Sequence, residues 1–197
     1  MALSIHDAAE EGNVEEVMRL IQEDPEIVDA IDGYHRTALH SASIEGHVEV
    51  VSYLLDQGAN IDKKDTNDGT ALREACSKGH LEMVELLLSR GADPTTICNN
   101  NGWTPLMVAS IGGYVDVVRC LVRSKAVRAT IDTQDRNGWT ALWHASYRSR
   151  TEVVKVLVEV GANPIVADTY GGRTPLDIAR DRGHDECITI LEVSPRR

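Results

Sequence analysis

Apolar positions along this chain fall into short blocks of two alternating kinds. The first is a hexad in which small and apolar residues follow a threonine: Thr37-Ala38-Leu39-His40-Ser41-Ala42, Thr70-Ala71-Leu72-Arg73-Glu74-Ala75, Thr104-Pro105-Leu106-Met107-Val108-Ala109, Thr140-Ala141-Leu142-Trp143-His144-Ala145 and Thr174-Pro175-Leu176-Asp177-Ile178-Ala179. Threonine is a good helix N-cap, and Pro or Ala suits the first helical position, so each hexad predicts the start of a short helix. The second kind is a run such as Val48-Glu49-Val50-Val51-Ser52-Tyr53-Leu54-Leu55, with apolar residues at i, i+3 and i+7, which predicts a helix with one buried face. A Gly-His turn joins the two kinds at Gly46-His47, Gly79-His80 and Gly183-His184, and glycine ends the second helix at Gly58, Gly91 and Gly161.

Successive hexad threonines are 33, 34, 36 and 34 residues apart. Helices of about ten residues are marginal alone, so each pair must bury its Leu/Val/Ala face on the next. The expected architecture is an all-α solenoid of six stacked helix-turn-helix repeats. Their approximate bounds are 1–29, 30–62, 63–96, 97–131, 132–166 and 167–194, making one domain followed by a short tail, 195–197. Turns or hairpin tips rich in Asp, Asn and Gly, such as Asp135-Arg136-Asn137-Gly138, separate the pairs. The first repeat is degenerate, with Leu3 in the threonine position and Ala8-Ala9 in the small-residue position. Its exposed glutamates and the polar last helix, 185–192, suit the two ends of a stack as caps. Where Gly-Ala-Asn/Asp is expected, repeat four has Ser124-Lys125-Ala126-Val127-Arg128, an insertion expected to lengthen the following loop.

The hexad, the Gly-His turn, the Val-x-x-Leu-Leu second helix and the Gly-Ala-Asn/Asp segment at 58–60, 91–93 and 161–163 together resemble the ankyrin-repeat family, over residues 1–194. The resemblance implies that His40 and His47 brace neighbouring repeats by bonding to backbone. It also implies that partners bind a concave surface made from the tips and first helices.

Composition narrows the function. A net charge of −11 opposes general affinity for nucleic acid or anionic membrane. Residues 1–30 hold nine Asp/Glu and only Arg19 as a base, whereas 119–150 hold seven Lys/Arg against Asp132 and Asp135. Cys76, Cys98, Cys120 and Cys187 form no Cys-x-x-Cys pair, so metal and disulfide roles are not expected, and a reducing cytoplasm, with the nucleus as a second compartment, is the default. Neither a signal peptide nor a membrane-spanning run is present. Phosphate-loop, zinc-protease and nucleophile-elbow motifs are missing, so neither catalysis, a small-molecule substrate nor a cofactor is expected.

Mapped through the resemblance, the position before each threonine holds Arg36, Gly69, Trp103, Trp139 and Arg173, and the fourth hexad position holds His40, Arg73, Met107, Trp143 and Asp177. Two further groove positions hold Tyr147 and Arg148 in repeat five, and Asp181 and Arg182 in repeat six. All three tryptophans of a chain without phenylalanine thus fall in two adjacent repeats. Aromatic and arginine side chains dominate interface energetics. The expected site is therefore a groove of Trp103, Trp139, Trp143, Tyr147, Arg73, Met107, Arg136, Arg148 and Arg173. It would belong to a protein-interaction adaptor or scaffold, and its partner would be a protein or peptide with an apolar anchor and nearby acidic groups. Alanine at Trp103 and Trp139 is expected to remove binding while leaving the stack folded. The alternative is nucleic-acid binding or self-association through the basic 119–150 region. The oligomeric state is left open.

Overall fold

The structure is a computed structural model that describes residues 3–98 and 101–193. Asn99 and Asn100 of the fourth tip and the tail from Ser194 to Arg197 lie outside the described residues. The protein is a solenoid of helix-turn-helix repeats, and the described residues contain helices and turns but no strand, only a bridge between Cys98 and Trp103. The chain divides into two compact units, Met1–Asp93 and Pro94–Arg197.

The first unit holds α1 (Ile5–Glu10), α2 (Val14–Glu23), a 3-10 turn (Pro25–Asp29), α3 (Ala38–Glu45), α4 (Val48–Asp56), α5 (Ala71–Lys78) and α6 (Leu81–Ser89). First helices pack on first helices, α1 on α3 and α3 on α5, and second helices on second helices, α2 on α4 and α4 on α6. Leu39, Leu54, Leu72, Met83 and Leu87 are completely buried between them. Each such side chain contributes about 1.5–3 kcal/mol, which offsets the low intrinsic stability of the short helices.

The helix ends are completed by side chains from adjacent repeats. His40 accepts the Thr37 N–H at Nδ1 (3.1 Å) and donates from Nε2 to the Gly69 carbonyl of the next tip (3.1 Å). His47 and His80 reach the Glu10 and Ile44 carbonyls at 2.8 and 2.9 Å, so these histidines are braces. In the first repeat the register differs from expectation by one residue. Ser4, not Leu3, caps α1, with its hydroxyl accepting from Asp7 N and Asp7 accepting in return. His6 there meets the Ala30 and Arg36 carbonyls, both at 3.0 Å.

The second unit holds α7 (Pro105–Gly112), α8 (Val115–Leu121), α9 (Lys125–Ala129), α10 (Ala141–Tyr147), α11 (Thr151–Glu159), α12 (Pro175–Arg182) and α13 (Asp185–Glu192). Helix α10 is central, packed on α7 and α12, while α11 packs on α8 and α13. The insertion expected as a longer loop is the helix α9, because Val127 anchors it in the core at 3% exposure. Arg150 stands where a brace histidine is usual and donates from Nε to the Ile111 carbonyl (3.2 Å). His184 does the same for Ser146 (2.9 Å).

The tips share one device. Asp32, Asp65, Asp135 and Asp168 each accept backbone N–H groups across their own turn, as in Asp65 to Asn67 (2.8 Å) and Gly69 (2.7 Å). Consecutive tips then bond to one another, Arg136 N–H to Asn101 and Thr169 N–H to Asn137. Gly138 permits that second contact: its φ is +77°, and a Cβ there would lie 2.7 Å from the Thr169 nitrogen.

Two outcomes test this account. Gly138→Ala should destabilise the protein by about 1–3 kcal/mol, read from urea unfolding. Burial holds the His40 and His144 imidazoles below their usual 6.5, against the opposing pull of Gly69 on the first and Asp135 on the second. Below that pH the unfolded chain takes up protons that the folded chain does not, so stability is full above about 6.5 and falls as pH drops further. Urea midpoints measured from pH 7.5 to 5 should therefore decline, and less steeply in His40→Gln.

Candidate partner-binding surface

The site of the second unit is organised by one carboxylate. The Asp135 side chain has no exposed surface. Its Oδ1 accepts from the backbone N–H groups of Asn137 (2.8 Å) and Trp139 (3.0 Å), and its Oδ2 accepts from Trp103 Nε1 (3.0 Å) and His144 Nε2 (3.1 Å). Burying a carboxylate is costly unless its lone pairs are met, and here four donors meet them. Asp135 thereby ties the tip that carries Trp103, its own tip and α10 into one assembly.

On this assembly stands a ladder of rings. Trp139 and Trp143 lie parallel, with centroids 4.3 Å apart and planes within 6°. Trp143 and Tyr147 follow at 5.3 Å and 14°. A spacing of four residues brings Trp143 and Tyr147 onto one line along α10, Trp139 extends that line from the tip, and Trp143, held between its neighbours, is only 1% exposed. The guanidinium of Arg182, at the end of α12, lies 3.7 Å from the Tyr147 centroid, and that of Arg148 lies 5.6 Å from it. His144 meets all three indoles edge-on. The Nε1 atoms of Trp139 and Trp143 are buried without an acceptor among the described residues, a cost of about 1–3 kcal/mol each.

The ladder is a wall shared by two recesses. The larger, about 680 Å³, is bounded beyond the ladder by Arg173, Ile178, Asp181, Arg182 and His184. The smaller, about 170 Å³, is closed by Trp103, Ile111, His144 and Arg148. Arg173 is bonded to Asp168 (3.3 Å) and stands 3.9 Å from Asp181. Burial opposes ionisation of Asp168, but the Gly171 and Arg173 N–H groups and the Arg173 charge hold its carboxyl below the usual 3.8. Arg182 and Arg148 have no carboxylate partner among the described residues.

Of the residues anticipated from sequence, Trp103, Trp139, Trp143, Tyr147, Arg148 and Arg173 come together around these recesses. Arg136 is exposed on the tip and lines neither. Met107 is 1% exposed and completes the cap of α7, its Sδ accepting the Thr104 N–H at 3.4 Å. Arg73 belongs to the first unit, where it pairs with Glu74 and lines a separate recess of about 230 Å³ with Tyr34, Arg36 and Ile44. Asp135, His144 and Arg182 were not singled out. Arg182 sits at a mapped groove position, so its signal was present, whereas Asp135 reads in sequence only as a turn residue. The cysteines are buried thiols, the described residues hold no His/Cys/Asp/Glu group fit for a metal, and no described helix is long and apolar enough to cross a membrane.

A stack of short helix pairs with tips bonded in series and a ring-lined surface on first helices defines a repeat protein of the helix-hairpin class. The family described as ankyrin repeats, in three copies, matches residues 5–98, 62–130, 95–168 and 126–193, and the chain belongs to it. An ankyrin repeat domain from Acinetobacter baumannii AYE is 30% identical, with a TM-score of 0.85 and 98% of each chain covered. Protein phosphatase 1 regulatory subunit 27 of Mus musculus is 34% identical over 122 residues, 62% of this chain and 57% of that protein. The serine/threonine-protein kinase VIK of Arabidopsis thaliana is 40% identical over 57 residues, 29% of this chain and 13% of the kinase. The chain thus spans less than two thirds of the length of these two curated relatives. Ankyrin repeats generally mediate protein–protein interaction, and domains built from them are typically non-catalytic.

Asp135→Ala should cost at least about 3 kcal/mol, because it strands several buried donors at once. Asp135→Asn, which keeps one acceptor, should cost less. Paired urea titrations measure both, and equal, small losses would remove Asp135 from its central role.

Proposed function

We propose that this chain is a non-catalytic interaction module, an adaptor or scaffold in the cytoplasm, with residues 1–194 serving as a single domain. Repeats four to six form its binding surface, and the bound element is a peptide or protein loop with an apolar anchor and nearby acidic groups. The observation that carries this reading is the ladder of Trp139, Trp143 and Tyr147 between two recesses, bordered by Arg148 and Arg182, which lack carboxylate partners among the described residues. Large aromatic area and guanidinium groups concentrated in one place are what binding hot spots use.

Arg73 and Met107 fall outside the surface so defined, the first by its place in the other unit and the second by burial. The basic residues Arg119, Lys125 and Arg128 line neither recess, so a nucleic-acid reading draws no support from the aromatic rings.

The alanine pair at Trp103 and Trp139 is a poor probe, since it also removes the bond to Asp135 and one rung of the ladder. Tyr147→Ala and Arg148→Glu change the surface with less effect on the fold, and Tyr170→Ala, 77% exposed and outside both recesses, serves as a control. A partner captured by the wild-type protein and titrated by calorimetry should bind Tyr147→Ala about 2 kcal/mol more weakly, roughly 30-fold, and the control unchanged. Equal affinity for all three variants would place the interface elsewhere.

A further inference from the structure

The larger recess is lined by two guanidinium groups and one carboxylate. Within the ladder the faces of Trp143 and Tyr147 are taken up by neighbouring rings and by Arg182. What Trp143 and Tyr147 turn toward the cavity is therefore ring edge, the electropositive rim of an aromatic side chain. Opposite stand Arg173 and Arg182, with Asp181 as the single carboxylate of the lining. Two guanidinium groups against one carboxylate disfavour a cation. The recess attracts an anion, in a chain whose net charge is −11.

The charge balance selects among anions. Arg173 is already engaged by Asp168 and Asp181, which leaves Arg182 as the lining arginine without a carboxylate partner among the described residues. One uncompensated guanidinium matches one carboxylate, whereas a phosphate brings a charge of about −1.5 to −2. The volume, about 680 Å³, falls within the range of about 300–1,000 Å³ for ligand sites, enough for an acidic residue with its flanking backbone. Resting on the reading of the second unit as a peptide-binding module, we propose that this recess is a carboxylate subsite for an Asp or Glu side chain of the bound peptide. Arg182 determines its specificity, and the smaller recess across the ladder seats a neighbouring apolar residue.

A positional-scanning hexapeptide library, with a parallel set carrying phosphoserine, tests this on the wild-type protein, Arg182→Gln and Arg182→Lys. Arg182 is exposed at the end of α12, so thermal melts should coincide. The wild type should prefer Asp or Glu over Asn or Gln at one library position by at least about tenfold, the scale of a charge-assisted hydrogen bond. Arg182→Gln should lose that preference and keep the apolar one, and Arg182→Lys should recover part of it. An unchanged acidic preference in Arg182→Gln overturns the subsite and leaves the peptide-binding reading standing. Phosphoserine bound in preference to Glu overturns the carboxylate assignment. Self-association of the wild type that Arg182→Gln abolishes makes a second copy the occupant and overturns the peptide one. A wild type that retains no peptide removes the peptide-binding reading together with this proposal.

Discussion

A helix of six to ten residues leaves a large share of its backbone polar groups without partners at its two ends. Everything in this protein answers that constraint. Helices α1, α3, α7 and α10 each give a C-terminal carbonyl to a side chain from the next repeat, and tip carbonyls and N–H groups are met by a histidine, an aspartate or the adjoining tip. A single repeat is therefore chemically unfinished, and the stack is the smallest object in which its backbone is satisfied. The apolar contacts between helices supply the free energy. The polar contacts decide the register in which those helices meet.

The same constraint explains how a binding surface can grow out of a structural element. Asp135 does for its tip what Asp32 and Asp65 do for theirs, but its second oxygen is shared by Trp103 and His144. That sharing fixes the aromatic residues of two repeats relative to one carboxylate, so the rings are positioned by backbone chemistry as much as by packing. A ladder built in this way holds its shape before any partner arrives, which lowers the ordering cost of association.

How much of this can be read from the residues differs sharply by level. The repeat, its helices and the brace histidines are local and periodic, so spacing alone reveals them. Substitutions that preserve a role with different chemistry are harder to see: Arg150 replaces a histidine yet bonds the same kind of carbonyl, and α9 converts an insertion into a helix because Val127 finds a place in the core. The first cap is misplaced by one residue because serine at position 4 does the work of threonine without the hexad around it. Met107 shows the opposite failure, a groove position in the family pattern whose side chain folds back to cap its own helix. The gathering of Trp103, Trp139, Trp143, Tyr147, Arg148 and Arg173 was legible through that pattern. The pairing of Arg182 with Tyr147 and the bond from Trp103 to Asp135 were not, since each joins side chains of different repeats more than thirty residues apart.

The stacking of Trp139 on Trp143 also has an optical consequence. Two nearly parallel indoles at this separation exchange excitation energy, so their ultraviolet transitions belong to the pair and add a signed contribution to the circular dichroism where helices also absorb. Trp103 is joined to this pair through His144 and Asp135. The helix content of this protein read from ellipticity would therefore be offset by a term that comes from its side chains.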